Sequence, residues 1–348
     1  MLKVDIEKRL GDFSLNVHFE TQREKLALLG ASGCGKSVTL QCIAGVKTPD
    51  RGRIVLGERT LFDSERRINL PPQQRRVGYL FQQYALFPNM TVAQNIALGA
   101  HDRPRAERER IVAEKLRAFH LEEQAHSKPH QLSGGQQQRT ALARILAGEP
   151  ELLLLDEPLS ALDGFLKWQL ELELLDALAA FDGEILFVSH SREEVCHLCD
   201  TVCVLTNGRS EEKQSVQTLL RAPRSRSAAL LTGCKNYSKA RRMDAHRALC
   251  ADWGVTLTSA QEIPDAANCV GVRNFHVAAP EEANAIVCRV LRAVPDGENV
   301  ILLLLPQNGS AQLCIELGAA RWNALGRPET LCVAVAPGQV MPLVDTTG

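Results

Sequence analysis

The stretch Gly30–Ser37, GASGCGKS, follows the apolar run KLALLG and leads into VTLQCIAG. No other feature constrains the fold as much. The pattern G-x-x-x-x-G-K-[ST] acts where a strand ends, a glycine-rich turn follows and a helix begins with its positive end facing an anion. Gly30, Gly33 and Gly35 let successive backbone N–H groups curl around a phosphate, with Ala31, Ser32, Cys34 and Val38 completing the cradle. Lys36 is expected to reach the outer phosphates as a point charge. The Ser37 hydroxyl is expected to ligate the Mg²⁺ that bridges them, and the Cys34 thiol is expected near bound phosphate. Many enzymes share this loop, so it names a nucleotide without naming a task.

A chain of 348 residues, 45% hydrophobic and 23% charged, is long enough for two domains with substantial cores. Its 40 basic and 41 acidic residues leave a net charge of -1, so no global field draws it to nucleic acid. The strongest apolar runs, ELLLLDEP and NVILLLLPQ, are shorter than the roughly 20 residues of a membrane helix. The N-terminal MLKVDIEKRLGDF alternates like a strand and lacks the features of a secretory signal. A cytoplasmic protein is expected. Its 11 cysteines, an odd number without paired motifs, suit a reducing compartment. Cys196, Cys199 and Cys203 come nearest to a metal cluster, but their helical and alternating spacing favours buried apolar positions over zinc.

To about Asn207 the chain alternates apolar runs with helical segments, the pattern of an α/β domain with a mainly parallel sheet. KLALLG, VGYLF, ELLLLD, EILFVS and TVCVLT are the candidate strands. A helical insert is expected over about 83–135, where RAERERIVAEKLRAFHLEE sets Ile111, Leu116 and Phe119 on one face. LLRAPRSRSAALL reads as a linker over 218–232, and the charges of RSRS and KNYSKARR read as solvated because no aromatic platform is interleaved with them. From residue 233 to 348 the texture is β, with Asp-Gly in PDGEN marking a hairpin. The expected boundaries are therefore 1–217, 218–232 and 233–348.

Asp156 and Glu157 close the apolar strand LLLLD, at the carboxyl edge where open α/β sheets bind ligands. Asp156 suits Mg²⁺, and Glu157 suits activation of the attacking water. Ser133, Gly134, Gly135 and Gln136 in QLSGGQQQR precede a good helix and form a second anion-binding helix N-terminus. One phosphate loop already serves the chain, so this second site is expected to close over a nucleotide held by another copy.

GASGCGKS, LSGGQQQR, LLLLDEPLSALD and FVSHSREEV occur in the order and context of the ATP-binding subunits of ABC transporters, which residues 1 to about 220 resemble. The resemblance implies an α/β P-loop ATPase domain with a helical insert. It also implies a head-to-tail homodimer holding two ATP with Mg²⁺ between one copy's phosphate loop and the other's LSGGQ. Gln82 in YLFQQ resembles the glutamine that senses Mg²⁺ and the outer phosphate, and His190 in VSH resembles the switch histidine. Ser160–Asp163 resemble the loop that crosses the dimer interface. An aromatic usually stacks on adenine from an early loop, where this sequence offers Leu10 and, slightly later, Phe13. YALFPNMTVAQNI resembles the segment that receives a helix of the membrane permease. A peripheral protein of the cytoplasmic membrane face is implied, coupled through the permease to an external solute-binding protein and not to nucleic acid.

The β tail resembles the small all-β, barrel-like (TOBE/OB-like) accessory domain of importer ATPases. ALLTGCKNYSKARR is most similar to its start in molybdate-type importers, with sulfate and tungstate systems close by. Thr232, Asn236 and Ser238 either donate to a tetrahedral oxyanion or cap turns.

Overall fold

A computed structural model describes residues 1–160 and 164–345, with the side chains of 164–166 left aside. Two compact units divide the chain, Met1–Val216 and Gln217–Gly348.

All five expected strands of the first unit are present as Lys25–Leu29, Val77–Leu80, Leu152–Asp156, Glu184–Ser189 and Thr201–Thr206. They pair in parallel in the spatial order 77–80, 152–156, 184–189, 25–29, 201–206. Every residue of Leu152–Asp156 is buried, because it lies inside a sheet covered on both faces. Each leucine there contributes roughly 1.5–3 kcal/mol by leaving water. The sheet also has an antiparallel half, of which only the N-terminal strand showed in the alternation of its residues. Leu2–Leu10 pairs with Phe13–Thr21 and with Arg51–Leu56, which continues through Arg59–Asp63. These strands alternate buried and exposed positions, as one covered face requires.

The phosphate-loop helix, Lys36–Ala44, is fixed at both ends. Gly35 enters it at φ 107°, a conformation costly for any residue with a Cβ. At the other end Arg75, fully buried, donates from Nη1 to the carbonyls of Cys42 and Ile43 at 2.9 and 2.8 Å. Its Nε and Nη2 donate to Leu70 O and Asn69 Oδ1. A buried cation thus sits on the negative end of the helix whose positive end faces the phosphate site.

Helices Val92–Gly99, Arg105–Ala118 and Gly134–Ala147 form the insert. Their separate core contains Val92, Ile96, Ile111, Leu121, Ala143 and Ala147, with Leu116 and Phe119 packed against it. Ala143 and Ala147 carry this core past residue 135, because the helix that begins at Gly134 belongs to it.

The second unit contains two five-stranded antiparallel sheets. One core, including Trp253, Val272, Leu302 and Val333, draws on both. The expected hairpin is Ile286–Asp296 with Asn299–Pro306, closed at Gly297 and Glu298. Over 218–232, expected as the linker, the chain is largely helical. Helices Val216–Arg221 and Arg226–Leu231 fill most of this span, and Ser225 caps the second by accepting the Ala228 N–H at 2.9 Å. RSRS is therefore a helix start, with Arg226 paired to Asp345. KNYSKARR is strand and not linker, since Asn236–Arg242 pairs with Arg247–Cys250 on one side and Cys269–Val272 on the other, while its Lys235, Lys239 and Arg241 side chains are exposed as expected.

Candidate functional site

The phosphate loop leaves the sheet at the carboxyl end of Lys25–Leu29, one strand away from Leu152–Asp156. Its first residues, Ala31, Ser32 and Gly33, are exposed, while Gly35 and Lys36 are buried beneath them. Lys36 is only 4% exposed, and its ammonium donates to Gly30 O at 2.8 Å and Ala31 O at 2.9 Å. Those contacts hold the charge under the mouth of the loop. Val38 is half-buried and packs against the main core, so only its backbone is available to an anion.

The Cys34 side chain, expected near bound phosphate, is turned into the core. It is buried, and a Cβ on Gly30 would lie 2.6 Å from its Sγ and 2.4 Å from Leu205 O. The side chain fills space behind the loop as part of the core. Burial also pushes the thiol above its ordinary value, an effect that exceeds the opposing influence of nearby Lys36.

Two carboxylates meet the loop. Ser37 Oγ donates to Asp156 Oδ1 at 2.9 Å, and Tyr79 OH donates to Asp156 Oδ2 at 2.9 Å. Burial raises the Asp156 pKa, opposed by these two hydrogen bonds. A hydroxyl and a carboxylate held together supply hard oxygen donors, a set that fits Mg²⁺. Tyr79 escaped sequence reasoning because VGYLF reads as an ordinary buried strand. The only signal was one hydroxyl in an otherwise apolar run.

Glu157 adopts φ 47°, a left-handed conformation that costs a non-glycine residue roughly 1–2 kcal/mol. Its N–H donates to Val188 O at 3.0 Å, and its carbonyl accepts from Ser160 Oγ at 2.9 Å. The turn brings the carboxylate to 3.9 Å from Lys36 Nζ and 3.3 Å from His190 Nδ1. His190 is half-exposed, so its ring combines access with this contact. Gln82 is also exposed, two residues beyond a strand that pairs Leu80 with Leu155. Its backbone thus leaves the sheet beside the strand that carries Asp156.

Ser133 caps the helix Gly134–Ala147 in a complete capping box. Gln136 N donates to Ser133 Oγ, and Ser133 N donates to Gln136 Oε1. Ser133 and Gly134 are exposed, and Gly135 lies against Leu170. Among the described residues, no hydrogen bond or ion pair joins this cap to the phosphate loop of the same chain. Of the expected interface loop, Ser160 is described, and Ala161, Leu162 and Asp163 lie outside the described residues. Phe13 lies against the loop itself, its ring 3.1 Å from the position a Cβ on Gly35 would take. Leu10 is its antiparallel partner across the hairpin.

The segment 84–91 is tightly braced. Arg144 donates to the carbonyls of Ala85 and Tyr84 at 2.7 and 3.0 Å, and buried Asn95 bonds both the N–H and the carbonyl of Phe87. Phe87 and Pro88 are exposed, whereas Leu86 and Met90 are half-buried.

Thr232, Asn236 and Ser238 are buried, with partners that fix structure instead of offering donors to an anion. Asn236 accepts from Cys314 N at 2.6 Å and donates to Cys314 O at 2.9 Å, joining the two sheets. Ser238 Oγ accepts from Asp252 N, and Thr232 Oγ1 donates to Ala229 O. The cysteines of EEVCHLCDTVCVL likewise form no metal cluster among the described residues. Cys199 and Cys203 are buried, and burial pushes Cys203 up to about 12.

A glycine-rich loop at a parallel-sheet edge, with its lysine and serine facing a strand-end Asp-Glu pair, defines a P-loop nucleotide-binding domain. A family model described as ABC transporter matches residues 13–160. The molybdate/tungstate import ATP-binding protein WtpC of Archaeoglobus fulgidus is 46% identical over 234 residues, covering 66% of this chain and 94% of that protein. The Fe(3+) ions import ATP-binding protein FbpC of Haemophilus influenzae is 41% identical over 238 residues, covering 68% of this chain and 67% of that one. Among solved structures, a dimeric ATP-binding cassette in a post-hydrolysis state with ADP and Pi superposes with a TM-score of 0.53 at 28% identity, over 62% of this chain and 99% of that one. The chain belongs to the ABC transporter family, whose ATP-binding subunits hydrolyse ATP to drive transport. No helix among the described residues is long and apolar enough to cross a membrane.

Proposed function

We propose that this chain energises import of molybdate or a related oxyanion such as tungstate, working at the cytoplasmic membrane face through a separate permease that a solute-binding protein loads from outside. The observation that carries the catalytic part is the convergence of Lys36, the Ser37–Asp156 pair and the Glu157–His190 pair on one sheet edge. Lys36 and the loop N–H groups hold the outer phosphates, and Ser37, Asp156 and Gln82 hold Mg²⁺. Mg²⁺, when held there, would neutralise charge on the phosphate oxygens. Glu157 orients and deprotonates the attacking water, and His190 steadies that carboxylate and the outer phosphate. Phe13 stacks on adenine.

Two copies bind head to tail, so that Ser133–Gln136 of one copy closes on ATP held by the other. Ser160 belongs to the same interface. The self-contained capping box supports this reading, because it leaves the N–H of exposed Gly134 at a helix N-terminus. The braced segment 84–91 presents Phe87 and Pro88 to the permease. The 46% identity to a molybdate/tungstate import protein and the LTGCKN stretch support the oxyanion cargo. The 41% identity to an iron import protein supports the competing cargo.

The test is ATPase activity of the chain reconstituted with its permease, against binding proteins loaded with molybdate, tungstate, sulfate, Fe³⁺ or a polyamine. Stimulation by the first two supports the proposal. Stimulation by Fe³⁺ or polyamine alone replaces the cargo, and no dependence on any permease refutes a transport role.

A further inference from the structure

His190 lies between two serines tied to one buried carboxylate. Ser191 donates its backbone N–H to Ser189 Oγ at 2.8 Å, and that hydroxyl donates onward to Glu194 Oε2 at 2.6 Å. Ser191 Oγ accepts the backbone N–H of Glu194 at 3.4 Å, closing a ring of hydrogen bonds around the histidine's own peptide units. Ser189 and Glu194 are almost wholly buried. Burying a carboxylate at that depth is costly unless it is paired and hydrogen-bonded.

Its pairing partner comes from a different element. Lys167 Nζ lies 2.6 Å from Glu194 Oε1. Lys167 occupies the first turn of the helix Gly164–Ala179, where its charge meets the positive end of that helix's own dipole. That placement is unfavourable in itself, and the ion pair accounts for it. Glu194, in the first turn of Arg192–Leu198, occupies the end that favours an acid. One carboxylate therefore joins two helix N-termini and fixes the backbone on both sides of His190. Nothing in the nucleotide-binding loop explains these four groups.

We propose that the Lys167–Glu194 pair is a positioning device for His190, setting the ring's reach to Glu157 from the start of the helix Gly164–Ala179. Neither residue touches a reacting atom, so neither is catalytic. Removing Lys167 leaves the buried Glu194 charge unpaired, and removing Glu194 takes away the acceptor of Ser189; in either case the loop carrying His190 loses part of what fixes its path. This inference rests on the assignment of His190 to hydrolysis.

The experiment measures steady-state ATPase kinetics and equilibrium ATP binding of the full chain for Glu194→Gln, Lys167→Met, Lys167→Arg, the Glu194→Gln/Lys167→Met double variant and His190→Ala. Loss of the pair is expected to lower kcat by about tenfold or more while the Kd for ATP stays within about twofold, the split that separates positioning from binding. Lys167→Arg is expected to restore kcat to within about twofold, and the double variant to lose no more than the worse single one, because the two residues act as a unit. Lys167 is part-exposed, so Lys167→Met carries the test if Glu194→Gln does not fold. Wild-type kcat in both single variants with an inactive His190→Ala overturns the positioning role and leaves the histidine's assignment standing. Wild-type kcat in His190→Ala overturns both. Parallel loss of kcat and ATP affinity assigns the pair a purely structural role and also overturns the inference.

Discussion

Replacing Arg75 by Met tests whether the phosphate-loop helix is held from its far end. Met keeps much of the side chain's length but removes the donors to Cys42 O, Ile43 O, Leu70 O and Asn69 Oδ1. Each buried acceptor left without a partner costs about 1–3 kcal/mol. Loss of a cation at the helix C-terminus adds about 0.3–2 kcal/mol. Against this, removing a guanidinium that burial disfavours, as its lowered pKa shows, recovers part of the loss. The net expectation is a loss of about 3–5 kcal/mol, the range for breaking a buried charged network from one side. With a urea slope of about 2–3 kcal/mol/M, the midpoint falls by about 1–2.5 M. Far-UV circular dichroism follows the first unit, which holds most of the helix, and its transition is fitted separately because the chain has two units. Arg75→Lys, with one nitrogen in place of three, should fall between wild type and Met. A midpoint for Arg75→Met within about 0.3 M of wild type would refute the reasoning.

Gly45→Ala attacks the same contact from the other side: φ is 83° there and a Cβ would lie 2.6 Å from Arg75 Nε, so a loss of about 1–3 kcal/mol is expected in the same titration. Cys34, buried with its thiol pushed up, should resist iodoacetamide at pH 8 while the more exposed Cys196 reacts. Peptide mass spectrometry that finds Cys34 labelled in the native chain as fast as Cys196 contradicts that placement. Asn236→Ala removes the link between the two sheets of the second unit and should cost about 2–4 kcal/mol, read as a lowered denaturation midpoint of that unit. An unchanged midpoint there denies the side chain its bridging role.

What the sequence disclosed and what it hid divide along physical lines. The loop 30–37, the strand ending in Asp156 and the parallel strands were legible because each is a local pattern: glycine spacing, an apolar run, a helix cap. Arg75 was not, since QQRRVG gives two adjacent arginines of opposite fate. Arg75 is fully buried, while the neighbouring Arg76 is 70% exposed. Only the tertiary fold, which brings a helix C-terminus to one of them, separates the two. Tyr79 and Glu194 were hidden for the same reason, because each takes its role from a partner far along the chain or on another element. Asn236 and Ser238 misled in the opposite direction. Polar residues in a basic stretch resembled donors for an anion, yet their alternation with outward positions along Asn236–Arg242 is the mark of a strand with one covered face. In RSRSAALL the signal was present as a Ser N-cap before an apolar run, and proline with basic residues outweighed it.

The central claim is that two copies of this chain close on ATP and that Glu157 then drives hydrolysis. Glu157→Gln keeps the shape of the side chain and cannot take a proton, so turnover should fall by about 10²–10⁴-fold with ATP still bound. Sedimentation equilibrium of that variant at saturating ATP and Mg²⁺ tests the claim most directly. A species of twice the chain's mass, absent without ATP and abolished by Lys36→Ala, is the predicted result. An ATP-bound Glu157→Gln chain that remains monomeric, or that turns ATP over at the wild-type rate, contradicts it.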